Sequence, residues 1–352
     1  MRAADVATSS AELYVVGAMP AGSAAGARLR PGQCAKISTG AALAPGADSV
    51  VMVEHSEALD GKRVRLAGPV RRGQHVARRG EEARRGRVLV RRGNSLTPAR
   101  MGVLAMVGCT EPLVYPPPSA AVLATGNELV GVHQKPGAGQ IRDSNSTLVE
   151  AMLRRFGLPQ VQNLGIAGDR RGQLSRSLRQ GLKADVLVVT GGVSVGEFDL
   201  VPDTLLELGC SIAVHKVAMK PGKPLLFARG PSGQAVFGLP GNPVAVLVSC
   251  FEFVGPVVRK LMGQDPAIPE RRARLKAACT QKPGRMAFLP GHTVRRREGL
   301  EVEPVPWHGS GDLVAASRAN SLIVLPKSVR RRAKGDMVTV HLLTADLEPA
   351  HD

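Results

Sequence analysis

Asp185-Val-Leu-Val-Val-Thr-Gly-Gly-Val-Ser-Val-Gly196 is the stretch that decides the fold. Its apolar, mostly β-branched first half reads as a strand buried on both faces, the condition of a central strand in a parallel sheet. The glycines Gly191, Gly192 and Gly196 let the backbone approach a ligand closely. Successive N–H groups there can form an anion nest, to which Ser194 adds a hydroxyl. A plain strand-to-helix turn would need one glycine rather than three. No G-K-[ST] follows, and G-x-G-x-x-G is absent, so neither a Walker loop nor a dinucleotide fingerprint fits.

Working outward, the same alternation continues. Ala120–Ala124 is a buried-strand run ending in Thr125-Gly-Asn-Glu-Leu129, and Ser146–Arg155 is an amphipathic helix closed by Gly157. Val161–Ile166 reads as a strand, Arg171–Leu182 and Leu200–Leu208 as helices, and Ala245–Leu261 as one long apolar helix. Strands alternating with helices predict an α/β domain with a parallel-rich sheet covered on both faces, with ligands at the carboxyl ends of the strands.

The flanks differ. Residues 1–90 carry the short extended runs Leu13–Val16, Gln33–Ile37, Ser49–Glu54 and Lys62–Leu66 between Gly/Pro turns, the pattern of a small β-barrel or sandwich. Residues 94–108 read as a helix with Thr97 as cap, Pro98 at its first position and Gly108 at its end, and Pro116–Pro118 mark a linker. After about residue 266, Arg271–Ala278, Phe288–Val294, Leu300–Pro304, Ser321–Leu325 and Met337–Leu343 predict a second small barrel. The expected division is therefore 1–90, 91–117 as helical connector, 118–265 and 266–352.

The 352 residues carry 47 Lys+Arg against 29 Asp+Glu, a net +18 that points toward anionic partners. Aromatic residues at 3% leave little for base stacking, and the arginines fall in scattered short runs, only Arg71–Arg92 being dense. A solvated Arg-biased surface or a polyanionic small substrate fits this better than a nucleic-acid groove. The most apolar stretch, Pro243–Phe251, falls short of the roughly 20 residues a membrane span needs. Five scattered cysteines form no C-x-x-C pair and read as buried thiols in a reducing cytoplasm.

Further segments carry polar chemistry. Asp199, just past Gly196, is either a helix N-cap or a carboxylate holding a magnesium ion beside the nest. In His215-Lys-Val-Ala-Met-Lys-Pro-Gly-Lys-Pro224, strand alternation would turn Lys216, Ala218 and Lys220 to one face, with Lys223 in the following turn. Those lysines read either as anion ligands or as charges guarding a sheet edge. Gly238-Leu-Pro-Gly-Asn-Pro243 lies between a strand and the long helix, with Pro240, Gly241, Asn242 and Pro243 as a third wall of one pocket. Glu128 and the Gln140–Asn145 segment concentrate polar groups where the sheet should open.

These motifs carry a resemblance. ISTGA at 37–41, GADSVVMVE at 46–54, TGNELV at 125–130, QIRDSNS at 140–146, TGGVSVGEFD at 190–199, VAMKPGKPLLF at 217–227 and FGLPGNPVAVLVS at 237–249 resemble the molybdopterin molybdenumtransferase family, which includes the gephyrin E domain. They stand in that family's order over nearly the whole chain.

The resemblance implies a molybdopterin-binding-type α/β domain with two β-barrel-like domains and an elongated segment, in a cytoplasmic homodimer. It implies that adenylylated molybdopterin and molybdate give molybdenum cofactor and AMP, with Mg2+, and that partners include small-molecule substrates and other proteins of molybdenum cofactor biosynthesis. Gly191, Gly192, Ser194 and Gly196 would hold the phosphate side of the pterin. Lys220, Lys223 and Pro224 would hold molybdate, with Lys216 adding charge and Arg285 an oxyanion contact. Asp199, Asp169 and Glu128 would serve the cation and the phosphoanhydride cleavage, with Asp199 and Glu128 as metal ligands. Thr39, Glu82 and Ser310 match site positions of the barrel domains.

Three departures accompany the match. Asn127 stands for the family's aspartate in TGDEL. Pro290 stands where a second arginine is usual. Family members also precede the residues matching Met1 with a helical segment ending in a DNSAMDGYA-like motif that supplies a catalytic Asp, so the expectation is of a chain lacking that front end, with Met1 an internal position. An impaired relative that binds molybdopterin as a scaffold is the competing expectation.

Overall fold

The computed structural model describes residues 1–24, 26–193, 200–344 and 347. The chain divides into two compact units, Met1–Leu89 and Val90–Asp352.

In the first unit, β1 (Ala11–Met19), β2 (Gln33–Ile37), β3 (Ser56–Asp60) and β4 (Arg63–Leu66) form one sheet in the order β2-β1-β4-β3. Val6, Leu13, Cys34, Leu66 and Val70 make its core. The expected strand over Ser49–Glu54 does not form. Part of its backbone is engaged elsewhere, the Val50 N–H donating to the Gln74 carbonyl and the His55 N–H to that of Met52, which takes those groups from a ladder.

The second unit opens with helix α1 (Pro98–Met106), where the Thr97 hydroxyl accepts from the Arg100 N–H at 3.4 Å, as the sequence predicts. Its sheet is built by β5 (Ala120–Thr125), with the short pair β6 (Leu129–Val130) and β7 (Ile141–Arg142) on the loop beyond, then α2 (Asn145–Arg155), β8 (Val161–Ala167), α3 (Arg171–Gly181), β9 (Val186–Thr190), α4 (Val201–Glu207) and β10 (Ser211–His215). After β11 (Met219–Lys220), which leaves this sheet, come β12 (Leu226–Arg229), β13 (Ala235–Leu239), α5 (Pro243–Ser249) and α6 (Gly255–Leu261).

The strand order is β10-β12-β13-β9-β5-β8, parallel from β13 to β8 with an antiparallel edge. Every residue of β5, β9 and β13 is buried. Alternate side chains serve two cores. Val122, Val188 and Phe237 pack with Val149 and Leu153 of α2 and Val246 of α5. Leu123 and Val189 pack with Leu174 and Leu178 of α3 and Leu205 of α4. This is the three-layer α/β arrangement the sequence predicts. Asp185 staples the sheet's start, accepting at 2.7 Å from both the N–H and the hydroxyl of Ser119. Those bonds hold its carboxyl below the usual carboxylate range.

The expected single helix over Ala245–Leu261 is instead two α-helices joined by a π turn, Cys250–Val254. Pro256 explains it, because a residue with no N–H cannot complete the i→i−4 bond to Glu252.

The chain ends in β14 (Glu270–Leu275), β15 (Cys279–Thr280), β16 (Met286–Arg296), β17 (Gly299–Pro304), α7 (Leu313–Ala316), β18 (Ser321–Leu325), β19 (Arg331–Arg332) and β20 (Met337–Leu342). The order β16-β17-β14-β20-β18, closed by β18 pairing back to β16, makes a five-stranded barrel around Leu275, Val302, Ile323, Leu325 and Val340. Strand β11 adds alongside β16. Val244 and Val248 of α5 meet Met219, Phe288 and Leu322 in a shared apolar cluster, which seats the barrel on the α/β layers. No helix among the described residues is long and apolar enough to cross a membrane. Four of the five cysteines are buried and Cys109 is exposed, so the expectation of buried thiols fails at that one.

Candidate functional site

Three strand ends converge at the carboxyl edge of the sheet. After β9, Gly191 and Gly192 take φ of +83° and +64°. A β-carbon on Gly191 would sit 2.5 Å from the Thr125 carbonyl oxygen, and one on Gly192 would sit 2.8 Å from the Thr125 hydroxyl. Both the left-handed backbone and the close approach exclude a side chain there. After β5, Asn127 Oδ1 accepts from the Asp169 N–H at 3.1 Å, which binds the loop of Glu128 to that of Asp169. After β13, the Gly241 carbonyl accepts from Asn145 Nδ2 at 2.7 Å, tying the start of α2 to the Pro240–Pro243 turn.

The His215 ring lies 3.2 Å from the Val193 carbonyl, so the end of β10 reaches the same turn. Ser194, Gly196 and Asp199 lie outside the described residues. Around this mouth, Asn145 Oδ1, Ser146 Oγ and Thr190 Oγ1 are buried with no partner among the described residues.

One strand expectation needs correcting. Lys216, Ala218 and Lys220 do not share a face of one strand. β10 stops at His215 and Lys216 turns to φ +74°, its N–H donating to the Leu225 carbonyl at 2.8 Å. A left-handed residue breaks the two-residue alternation on which that expectation rests. The chain then crosses to the barrel as β11.

That crossing creates a cavity of about 530 Å³ between the α/β layers and the barrel. Lys220, Lys223 and Pro224 come from the crossing, Pro240 and Asn242 from the α5 turn, and Arg285 and Ser310 from barrel loops. Asn242 Nδ2 donates to Ser310 Oγ at 3.0 Å across it. Among the described residues, three cations and no carboxylate line the cavity. A tetrahedral oxyanion suits such a wall, with the Arg285 fork and the lysine point charges as complementary donors.

Seven of the expected residues thus meet in one place. Glu128, Asp169, Gly191, Gly192 and Gly241 belong to the sheet mouth, and Thr39 and Glu82 are exposed residues of the first unit. Sequence reading missed Thr280, Gln281, Trp307 and His308, which also line the cavity. Trp307 had a usable signal, being the one tryptophan of the chain, three residues before Ser310. Pro290 is buried in β16, where its carbonyl accepts from the Val305 N–H at 2.9 Å.

The fold and this mouth define a protein of the molybdopterin-binding class. Residues 121–260 match the probable molybdopterin binding domain, residues 1–108 the MoeA N-terminal region (domains I and II), and residues 272–343 the MoeA C-terminal region (domain IV). The chain is 35% identical over 339 residues to the molybdopterin molybdenumtransferase of Nostoc sp., covering 93% of this chain and 77% of that one. The Staphylococcus aureus protein of the same name is 31% identical over 340 residues, at 95% and 80% coverage. The crystal structure of a molybdopterin biosynthesis moeA protein from Pyrococcus horikosii superposes with a TM-score of 0.78 at 30% identity, covering 98% of this chain and 85% of that one. The chain belongs to the molybdopterin molybdenumtransferase family, a family of enzymes that acts in molybdenum cofactor biosynthesis.

Proposed function

We propose that the protein inserts molybdate into adenylylated molybdopterin with release of AMP. The observation that carries this reading is the gathering of Lys220, Lys223 and Arg285 on one cavity beside the glycine turn of a molybdopterin-type sheet. In it, Lys220, Lys223, Arg285 and the Ser310 hydroxyl hold the molybdate oxygens, and Pro224, Pro240 and Pro243 keep the walls rigid. Asn242 orients Ser310. Gly191, Gly192 and Gly241, with Ser194 and Gly196, receive the phosphate side of the pterin. Lys216, beside the His215–Val193 contact, adds positive charge at the mouth. Thr39 and Glu82, both in the first unit, are proposed as further substrate-binding residues. Such a site works by positioning the two anions together and neutralising charge as the phosphoanhydride breaks, with no covalent nucleophile.

Among the described residues no three His, Cys, Asp or Glu gather as a cage. Magnesium takes one or two carboxylates together with substrate phosphates. Glu128 and Asp169, on loops joined by Asn127, supply hard oxygen donors, and Asp199 is the third candidate. When bound, the ion would neutralise phosphate charge. A homodimer is supported by α1, which buries no residue and exposes Met101 and Met106, with Val107 exposed just past its end. A cytoplasmic location and contacts with other proteins of molybdenum cofactor biosynthesis complete the proposal.

The test is AMP release from adenylylated molybdopterin as molybdate is titrated. Lys223→Ala and Arg285→Ala should each raise the molybdate requirement about tenfold or more with unchanged melting. Release that ignores molybdate, or binding of the adenylylated pterin with no release at all, overturns the reading.

A further inference from the structure

A second cavity of about 680 Å³ adjoins the first and shares Lys220, Thr280 and Gln281 with it. Its remaining charged walls are Lys282, Arg330 and Arg331, so four cations and, among the described residues, no carboxylate line it. None of the four has an ion-pair partner among the described residues. Like charges gathered on one wall repel, and an anion relieves that repulsion.

The wall is built rather than incidental. β15 and β19 pair antiparallel, with Thr280 opposite Arg331. The next residue, Gln281, donates its backbone N–H to the Arg330 carbonyl at 2.9 Å. Its side-chain amide donates to the carbonyls of Pro326 and Val329 at 2.8 and 2.9 Å. One side chain therefore ties the segment carrying Lys282 to the segment carrying both arginines. Gln281, which lines both cavities, keeps its Oε1 buried with no partner among the described residues. A ligand meeting all of this offers several anionic oxygens to the cations and an O–H to that amide oxygen. Hydrogen phosphate has both, and so does a nucleoside monophosphate through its ribose.

We propose that this second cavity is a phosphate seat, separate from the oxyanion cavity and coupled to it through Lys220. The proposal does not depend on molybdate insertion, because its readout is binding rather than turnover. Inorganic phosphate and, separately, AMP are titrated onto the full chain by calorimetry at fixed ionic strength, since exposed cations are screened by salt.

Arg330→Ser/Arg331→Ser should weaken phosphate binding about tenfold while molybdate binding stays as in the unsubstituted chain. Lys220→Ala should weaken both. Lys282→Ser, an exposed single change, should weaken phosphate alone, and it serves if the double variant does not fold. AMP binding about tenfold tighter than phosphate names a nucleotide as the natural source, and equal affinity names the free ion. Unchanged phosphate affinity in a folded double variant, or phosphate binding lost only with Arg285→Ala, overturns the proposal.

Discussion

Asn242 Nδ2 donates to Ser310 Oγ at 3.0 Å, and the Val244 N–H donates to the Ser310 carbonyl at the same distance. Ser310 is thereby gripped from both sides by the first turn of α5. Asn242→Ala removes the side-chain grip and should cost about 1 kcal/mol of stability. Asn242→Asp keeps a bond, with the serine hydroxyl now donating, but sets a negative charge among Lys220, Lys223 and Arg285. Molybdate binding should fall further in Asn242→Asp than in Asn242→Ala, while its melting temperature falls less. Equal anion affinity in the two variants would refute the role given to cavity charge.

Gly191 is held by geometry on two counts. Gly191→Ala should destabilise by about 2 kcal/mol, from the left-handed backbone together with a β-carbon forced against the Thr125 carbonyl. Gly172, in α3 with nothing near its would-be β-carbon, is the control. Gly172→Ala should be neutral or stabilising by up to about 1 kcal/mol. Urea midpoints of the two variants check the contrast.

The π turn has a partner in the barrel. Glu252 Oε1 meets His341 Nδ1 at 2.8 Å, with side chains 8% and 9% exposed. Removing one partner leaves the other buried and unsatisfied, so Glu252→Ala should lower stability by about 2 kcal/mol. Glu252→Gln retains a hydrogen bond and should lose less. Denaturation monitored by circular dichroism separates the two.

Asp312 caps α7. The N–H groups of Ala315 and then His308 hold its carboxyl below the usual carboxylate range. Because the folded value is depressed, the contribution is complete above the unfolded value of about 3.9 and fades as pH falls through the lower folded one. Trp307, beside His308, is the single fluorophore of its kind. Its emission should change in acid below about pH 4. Asp312→Asn should abolish that step. An identical acid transition in both proteins would mean that another group governs the loop.

Much of the site was legible in the sequence, and the limits are instructive. Gln33–Ile37 and Ser321–Leu325 were readable to the residue, because period and burial alone set a strand between turns. Lys220, Lys223 and Asn242 were readable from Pro-Gly turns that leave few backbone choices. Lys216 was misassigned because nothing in its neighbours announces a left-handed lysine. Thr280, Gln281, Arg330 and Arg331 were invisible, since nothing local says that β15 and β19 pair.

The sequence by itself determined two of the buried central strands, β5 and β9, and the glycine turn after β9. Both follow from local constraints, the apolar run and the steric need for a missing β-carbon. Tertiary structure alone decided where the cations meet. Lys220 leaves the α/β sheet to pair beside β16, and Val244 and Val248 bury against Phe288 and Leu322. An apolar face is written in the chain, but its partner is not. Hydrophobic contact is non-directional, and only the packed whole selects which faces close on one another.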